Sequence, residues 1–228
     1  MSSDSDDLED GLEDELDELG LDDLDETDQT TGHPDPTREG LVLPVWLLIA
    51  AVVGLYAAAS LVLDKISYFE QLAAGKSPVL GCNLNPIVGC GNVINTPQAS
   101  IFGNVPNPVI GVVAWSALGA LAITLITQRR LPSWFWIGLQ VGATGGIVMV
   151  SWLQYQSIFH LNALCPWCMV TWAVMIPTFW SVTSHNLRRW LPGLPTRRFD
   201  EYVVLVIAAH YLVLFAVIWN HFGSKLFA

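Results

Sequence analysis

Four residues of this chain have side chains suited to redox chemistry: Cys82, Cys90, Cys165 and Cys168, which are all its cysteines. Cys165-Pro166-Trp167-Cys168 is a C-x-x-C, and its setting predicts the start of a helix. Proline suits a first helical turn, where its missing N–H costs nothing. The free N–H groups and positive dipole end of a helix N-terminus favour a thiolate and ready disulfide exchange. Cys82 and Cys90 lie eight residues apart, among Gly81, Gly89 and Gly91, which let a loop bend and let sulfurs be approached closely. Four cysteines allow three pairings. Bonds within each pair are the simplest resting state, and a relay needs a transient bond between loop and C-x-x-C. Two other uses stay open: a zinc site, and disulfides that only hold a fold together.

The elements that carry these cysteines are apolar. Of 228 residues, 52% are hydrophobic and 14% charged, and the net charge of −11 is unevenly spread. Residues 1–39 hold 17 of the 21 acidic residues and one basic residue, Arg38. The remainder is slightly basic, so the chain joins an acidic tail to a hydrophobic body. Nucleic acid is excluded as a partner, because the tail repels phosphate and the other basic residues sit between apolar spans. The tail lacks aromatic and β-branched aliphatic residues and is expected to be disordered, although Leu8, Leu12, Leu16 and Leu19 recur at helical spacing. The acidic start does not resemble a signal peptide.

Residues 41–63 carry no charge and are long enough to span a bilayer. Residues 66–104 read as a long loop, a candidate for function. A second span covers about 107–127. Residues 131–187 contain no Asp, Glu, Lys or Arg, too long a stretch for one helix. The polar group Tyr155, Gln156, Ser157, His160 and Asn162 divides it into spans at about 134–154 and 163–183, joined by a tight turn. A fifth span covers about 202–222. Six of the ten basic residues fall in the 128–133 and 184–201 connections. The positive-inside rule therefore puts these and the N-terminus in the cytoplasm, and all four cysteines and the C-terminus outside. Cysteines on an oxidising side are free to form disulfides. Trp46, Trp134, Trp136 and Trp219 fall near span ends, as interfacial anchors do.

The order of these features resembles the vitamin K epoxide reductase family, especially its bacterial disulfide-forming members. A first span is followed by a two-cysteine loop, then Ala99-Ser100-Ile101-Phe102-Gly103 and Pro106-Asn107 before a second span. A C-x-x-C opens the fourth span. The resemblance covers about residues 42–183. It implies an all-α integral membrane protein: a four-helix bundle around a quinone over 40–183, with 184–228 adding a loop and a fifth transmembrane helix. The quinone would be menaquinone, ubiquinone or a vitamin K-type quinone. With no thioredoxin domain following the fifth span, it implies a separate DsbA-like thioredoxin-fold partner. Cys82 would exchange with that partner, Cys90 would pass oxidation state to Cys165, and Cys168 would face the quinone.

The same resemblance places Thr96 at the family's Ser/Thr position, six residues after the second loop cysteine. Trp172 stands where vertebrate members have a substrate-side Tyr, and Ala99 where they have an Asn. These departures favour quinone reduction over epoxide reduction. Ser100 and Trp167 join Thr96 and Trp172 as expected quinone contacts, with Trp152 and Phe159 as further aromatic walls. His160 and Asn162 are read either as donors to a quinone carbonyl or as caps of the turn. Gly111, Gly119, Gly142, Gly145 and Gly146 are expected to permit close helix approach. The expected activity is oxidation of the partner at the plasma membrane, supporting disulfide formation in exported proteins. The alternative is a structural or zinc-binding membrane protein using its cysteines non-catalytically. The rival DsbB-type order, with the C-x-x-C near the first outer loop, is the reverse of the one here.

Overall fold

A computed structural model of the chain describes residues 36–83, 88–100, 103, 105–128, 131–190 and 196–226. The leucine repeat of the acidic tail lies outside these residues, as do Ile101 and Phe102. Among the described residues are five long helices and no β-sheet: α1 (Pro36–Ala73), α2 (Asn107–Thr127), α3 (Ser133–Tyr155), α4 (Pro166–Trp190) and α5 (Thr196–Leu226). The protein is thus an all-α membrane protein. Among the described residues, four segments are long and apolar enough to cross a bilayer: Gly40–Ala73, Asn107–Thr127, Ser133–Leu161 and Tyr202–Gly223.

The expected span at 163–183 falls on α4, which is long but not among those four. Its position explains its polarity. α4 packs against both α3 and α5, and Thr178, Ser184 and Asn186 are buried along it. A helix enclosed by protein need not present an apolar surface all round. Pro177 lies inside α4, where a proline deprives the carbonyl four residues earlier of its N–H partner. That carbonyl belongs to Ala173, and the Tyr211 hydroxyl of α5 donates to it. The proline thus supplies the acceptor by which α5 docks. Most of the rest of α5 is exposed and apolar, as at Val204, Leu212 and Phe215.

Several helices outrun the expected spans, and two of the shifted boundaries bear on the site. α1 does not end with its apolar run at Leu63 but continues through Asp64 and Lys65 to Ala73. Its 38 residues rise about 57 Å at 1.5 Å each, well beyond a hydrocarbon core of about 30 Å. Charge ended the apolar pattern, not the helix. The turn after α3 also comes later than expected. The chain continues as a π-helical segment, Gln156–Leu161, and leaves only residues 162–165 to turn into α4.

α1 and α2 meet through small residues. Gly111 faces Ala58 and Gly119 faces Ala51, and a Cβ on Gly54 would lie 2.3 Å from the Trp115 indole. Gly146 makes similar room for Met175, whereas Gly142 and Gly145 face open space and bring no helix closer. Of the expected anchors, Trp134 and Trp219 are exposed, but Trp136 is buried and Trp46 is half-buried against the core.

Candidate functional site

Cys82 and Cys90 form a disulfide with Cα atoms 5.8 Å apart. The loop they close is braced by Asn83, whose Oδ1 accepts the Gly91 N–H at 3.1 Å. A Cβ on Gly89 would strike the same side chain at 2.7 Å. Around Gly89 and Gly91 the room therefore goes to Asn83 rather than to an approaching sulfur. Cys90 is fully buried in a small cluster with Leu61, Leu80, Ile94 and Cys165. Cys82 is half-buried at its edge, and its Sγ lies 3.2 Å from Asp64 Oδ2.

The C-x-x-C sits where the sequence predicted. Pro166 is the first residue of α4, and the Met169 N–H bonds the Cys165 carbonyl at 3.0 Å to open the helix. Cys165 and Cys168 are free thiols. The approach to Cys165 is held on both sides. The Ser157 hydroxyl donates to the Ala163 carbonyl. The Gly89 N–H donates to the Leu164 carbonyl at 2.9 Å, within a parallel bridge between Val88 and Leu164. That bridge registers the loop against the start of α4, pairing a residue two before Cys90 with the residue just before Cys165. Cys90 Sγ and Cys165 Sγ consequently lie 3.6 Å apart, in contact and not bonded.

Below the sulfurs is a cavity of about 180 Å³ between α1, α2, α3 and α4. Among the described residues its lining contains no charged side chain. Cys165 and Cys168 form its roof, and Trp115, Trp172, Met149 and Met175 contribute apolar wall. The polar groups are few: Gln98, Asn107, Gln156, Ser157 and Thr171. Asn107 Nδ2 donates to the Gln98 carbonyl at 2.7 Å. The side-chain oxygens of Gln98 and Gln156 are buried without a hydrogen-bond partner. Buried amide oxygens without partners are costly, and as acceptors they suit a flat apolar ligand that carries hydroxyl donors at its edge, as the quinol form of a quinone does.

The residues expected to contact such a ligand are placed as follows. Trp172 lines the cavity. Thr96, Ser100 and Trp167 are absent from the lining. The Thr96 hydroxyl bonds the Val93 carbonyl at 2.9 Å, and Ser100 ends a short 3-10 turn, Pro97–Ala99. Trp167 packs edge-on to Tyr56 with centroids 5.5 Å apart and hydrogen-bonds Asp64. Trp152 and Phe159 face outward, and His160 is exposed beside Tyr155. Asn162 has a left-handed backbone, φ 49°, so it caps the turn rather than reaching the cavity. Sequence reasoning missed Asp64, Trp115, Gln98 and Gln156. Asp64 marked a span end, and Gln156 was counted in a polar break, which the π-helical geometry turns toward the cavity.

A zinc site would need free thiolates. The group Asp64, Cys82 and Cys90 is close enough to hold an ion, but both its sulfurs are in the disulfide.

Helices of membrane type, with two cysteine pairs in contact above an apolar cavity, are the features of a membrane redox protein. Residues 45–183 match the model of the Vitamin K epoxide reductase family, and the chain belongs to that family. No individual curated protein matches it. Family and helices together make it a membrane oxidoreductase.

Proposed function

We propose that the protein oxidises a thioredoxin-fold dithiol partner outside the plasma membrane and passes the electrons to a membrane quinone. The observation that carries this reading is the 3.6 Å contact between Cys90 and Cys165, which joins a solvent-side pair to a cavity-side pair. The distribution of basic residues supports placing the cysteine end outside and the N-terminus in the cytoplasm. The family match supports the redox class.

A partner thiolate attacks Cys82, forming a mixed disulfide and releasing Cys90 as thiolate. The Asp64 carboxylate, 3.2 Å from Cys82 Sγ, disfavours negative charge on Cys82 and so makes Cys90 the better leaving group. The second partner thiol then resolves the mixed disulfide and leaves as an oxidised protein, with Cys82 as a thiol. The free thiols of Cys165 and Cys168 would first be oxidised to a disulfide, their two electrons and two protons going to the quinone. Cys90 thiolate then attacks Cys165, forming Cys90–Cys165, breaking Cys165–Cys168 and releasing Cys168 as thiolate at the cavity roof. A bound quinone would supply a two-electron, two-proton acceptor there. Cys82 then attacks Cys90, restoring Cys82–Cys90 and freeing Cys165 to re-form its bond with Cys168 as the electron pair leaves. Trp172 and Trp115 would hold the ring flat, with Gln98 and Gln156 at its polar edge. The apolar lining keeps water from the last sulfur.

The test is quinol formation by the purified full-length protein supplied with a reduced thioredoxin-fold partner. Wild type is expected to form quinol and Cys168→Ser to form none. A folded wild type that yields no quinol with an active partner overturns the proposal, and so does full turnover in Cys168→Ser.

A further inference from the structure

The family match ends at residue 183, so α5 lies beyond it, yet the end of α5 reaches the cysteine end of the bundle. His221 Nε2 lies 2.7 Å from Asn162 Oδ1. The ring is fixed edge-on between Phe159 and Phe222, at centroid distances of 5.4 and 4.8 Å, and Phe222 is fully buried. The imidazole is therefore presented from an anchored site. Asn162 is the left-handed residue that ends the π-helical segment, and its N–H bonds the Ser157 carbonyl. The Ala163 N–H bonds the same carbonyl at 3.2 Å. The next residue, Leu164, accepts the Gly89 N–H, and the one after it is Cys165, in contact with Cys90. A short run of backbone, bonded at every residue, thus connects His221 to the sulfur contact.

We infer that His221 is a positioning residue for sulfur transfer between the two cysteine pairs, acting through Asn162. This rests on the relay proposed above. The step it serves is attack of Cys90 thiolate on Cys165 in the state where Cys165 and Cys168, free thiols in this structure, have been oxidised to a disulfide. That attack makes the Cys90–Cys165 bond, breaks Cys165–Cys168 and sends the electron pair out on Cys168 as thiolate, with no outside reductant. In-line attack depends steeply on sulfur alignment. A left-handed asparagine holds its conformation best when its side chain is engaged. His221 supplies that engagement from a helix otherwise concerned with lipid and with α4.

The experiment separates this inference from the relay itself. In full-length protein carrying Cys82→Ser and Cys168→Ser, Cys90 and Cys165 are the only thiols. The rate at which diamide joins them reads their alignment whether or not the relay operates, while quinol formation by wild type tests the relay separately. His221→Ala is expected to slow bond formation about threefold to tenfold, the worth of one hydrogen bond. Asn162→Gly, which keeps the left-handed backbone, is expected to slow it equally. The two changes together should be no slower than either. His221→Gln, which retains a donor, should restore most of the rate, a rescue that bulk destabilisation does not show. Unchanged rates in His221→Ala and Asn162→Gly overturn the inference, as does failure of His221→Gln to rescue at an unaltered unfolding temperature.

Discussion

The two ends of the bundle are built by different means. At the cysteine end, short stretches of irregular backbone are drawn together by bonds to the main chain, as between Gly89 and Leu164 or Asn83 and Gly91, and the sulfurs are left free to change partners. At the opposite end, side chains hold helices α3 and α4 directly. Asn186 Nδ2 donates to the Trp136 carbonyl at 3.1 Å and to Gln140 Oε1 at 3.0 Å. Gln140 Nε2 reaches Thr183 at 3.0 Å. Trp136 stacks on His185 with centroids 4.2 Å apart, and the Arg189 guanidinium lies 5.1 Å from its ring centroid. None of these residues lines the cavity. The difference separates a closed end that fixes the helices from an open end where bonds are exchanged. It predicts that substitutions at one end change stability and at the other reactivity.

The largest effect should come from breaking the closed end. Asn186 is 1% exposed, and Asn186→Leu removes both of its hydrogen bonds and leaves the Trp136 carbonyl and Gln140 without that donor. A cost of about 2 kcal/mol is expected, read as a lower unfolding temperature in detergent. Turnover of the surviving folded protein should be unchanged. A folded Asn186→Leu protein with lost turnover would show that the ends are coupled and defeat the comparison.

Asp64→Asn sharpens the comparison from the open end. In a Cys90→Ser background Cys82 is a free thiol beside the Asp64 carboxylate, and like charge disfavours its thiolate. Neutralising the neighbour should speed alkylation of Cys82 at neutral pH about tenfold, with little change in unfolding temperature. An unaltered alkylation rate would mean that Asp64 does not govern which sulfur leaves.

The two ends were unequally legible in the sequence. Apolar runs and the charge-free stretch 131–187 located the helices, and proline in the C-x-x-C located the start of α4, because these signals are local. The course of α1 past Asp64 was hidden, since a charged residue ends a hydrophobic pattern without ending a helix. The Cys90–Cys165 contact depends on the bridge between Val88 and Leu164, residues far apart in sequence whose pairing has no local signature. Gln156 faces the cavity because a π-helical segment alters the angular phase of α3, which hydrophobic periodicity does not register. Trp136 read as a lipid anchor from its place at a span end. Its burial depends on His185 and Arg189, a helix away, and composition alone does not reveal such a partnership.

The smallest effect expected is on pH dependence, and it belongs to the closed end. Burial lowers the His185 pKa to about 4 from the ordinary 6.5, with Arg189 and Arg188 adding to the shift. The folded protein therefore keeps this imidazole neutral where the unfolded chain protonates it. The unfolded state binds more protons between those two values, so stability falls as pH drops through that window and is level above it. His185→Phe keeps a ring against Trp136 and removes the titration. Unfolding temperatures in detergent should decline less steeply below pH 6.5 in the variant than in wild type. Partner-dependent quinol formation at neutral pH should be the same in both. Equal acid slopes would mean that His185 is hydrated at the closed end, and that its packing on Trp136 is looser than the 4.2 Å stacking indicates.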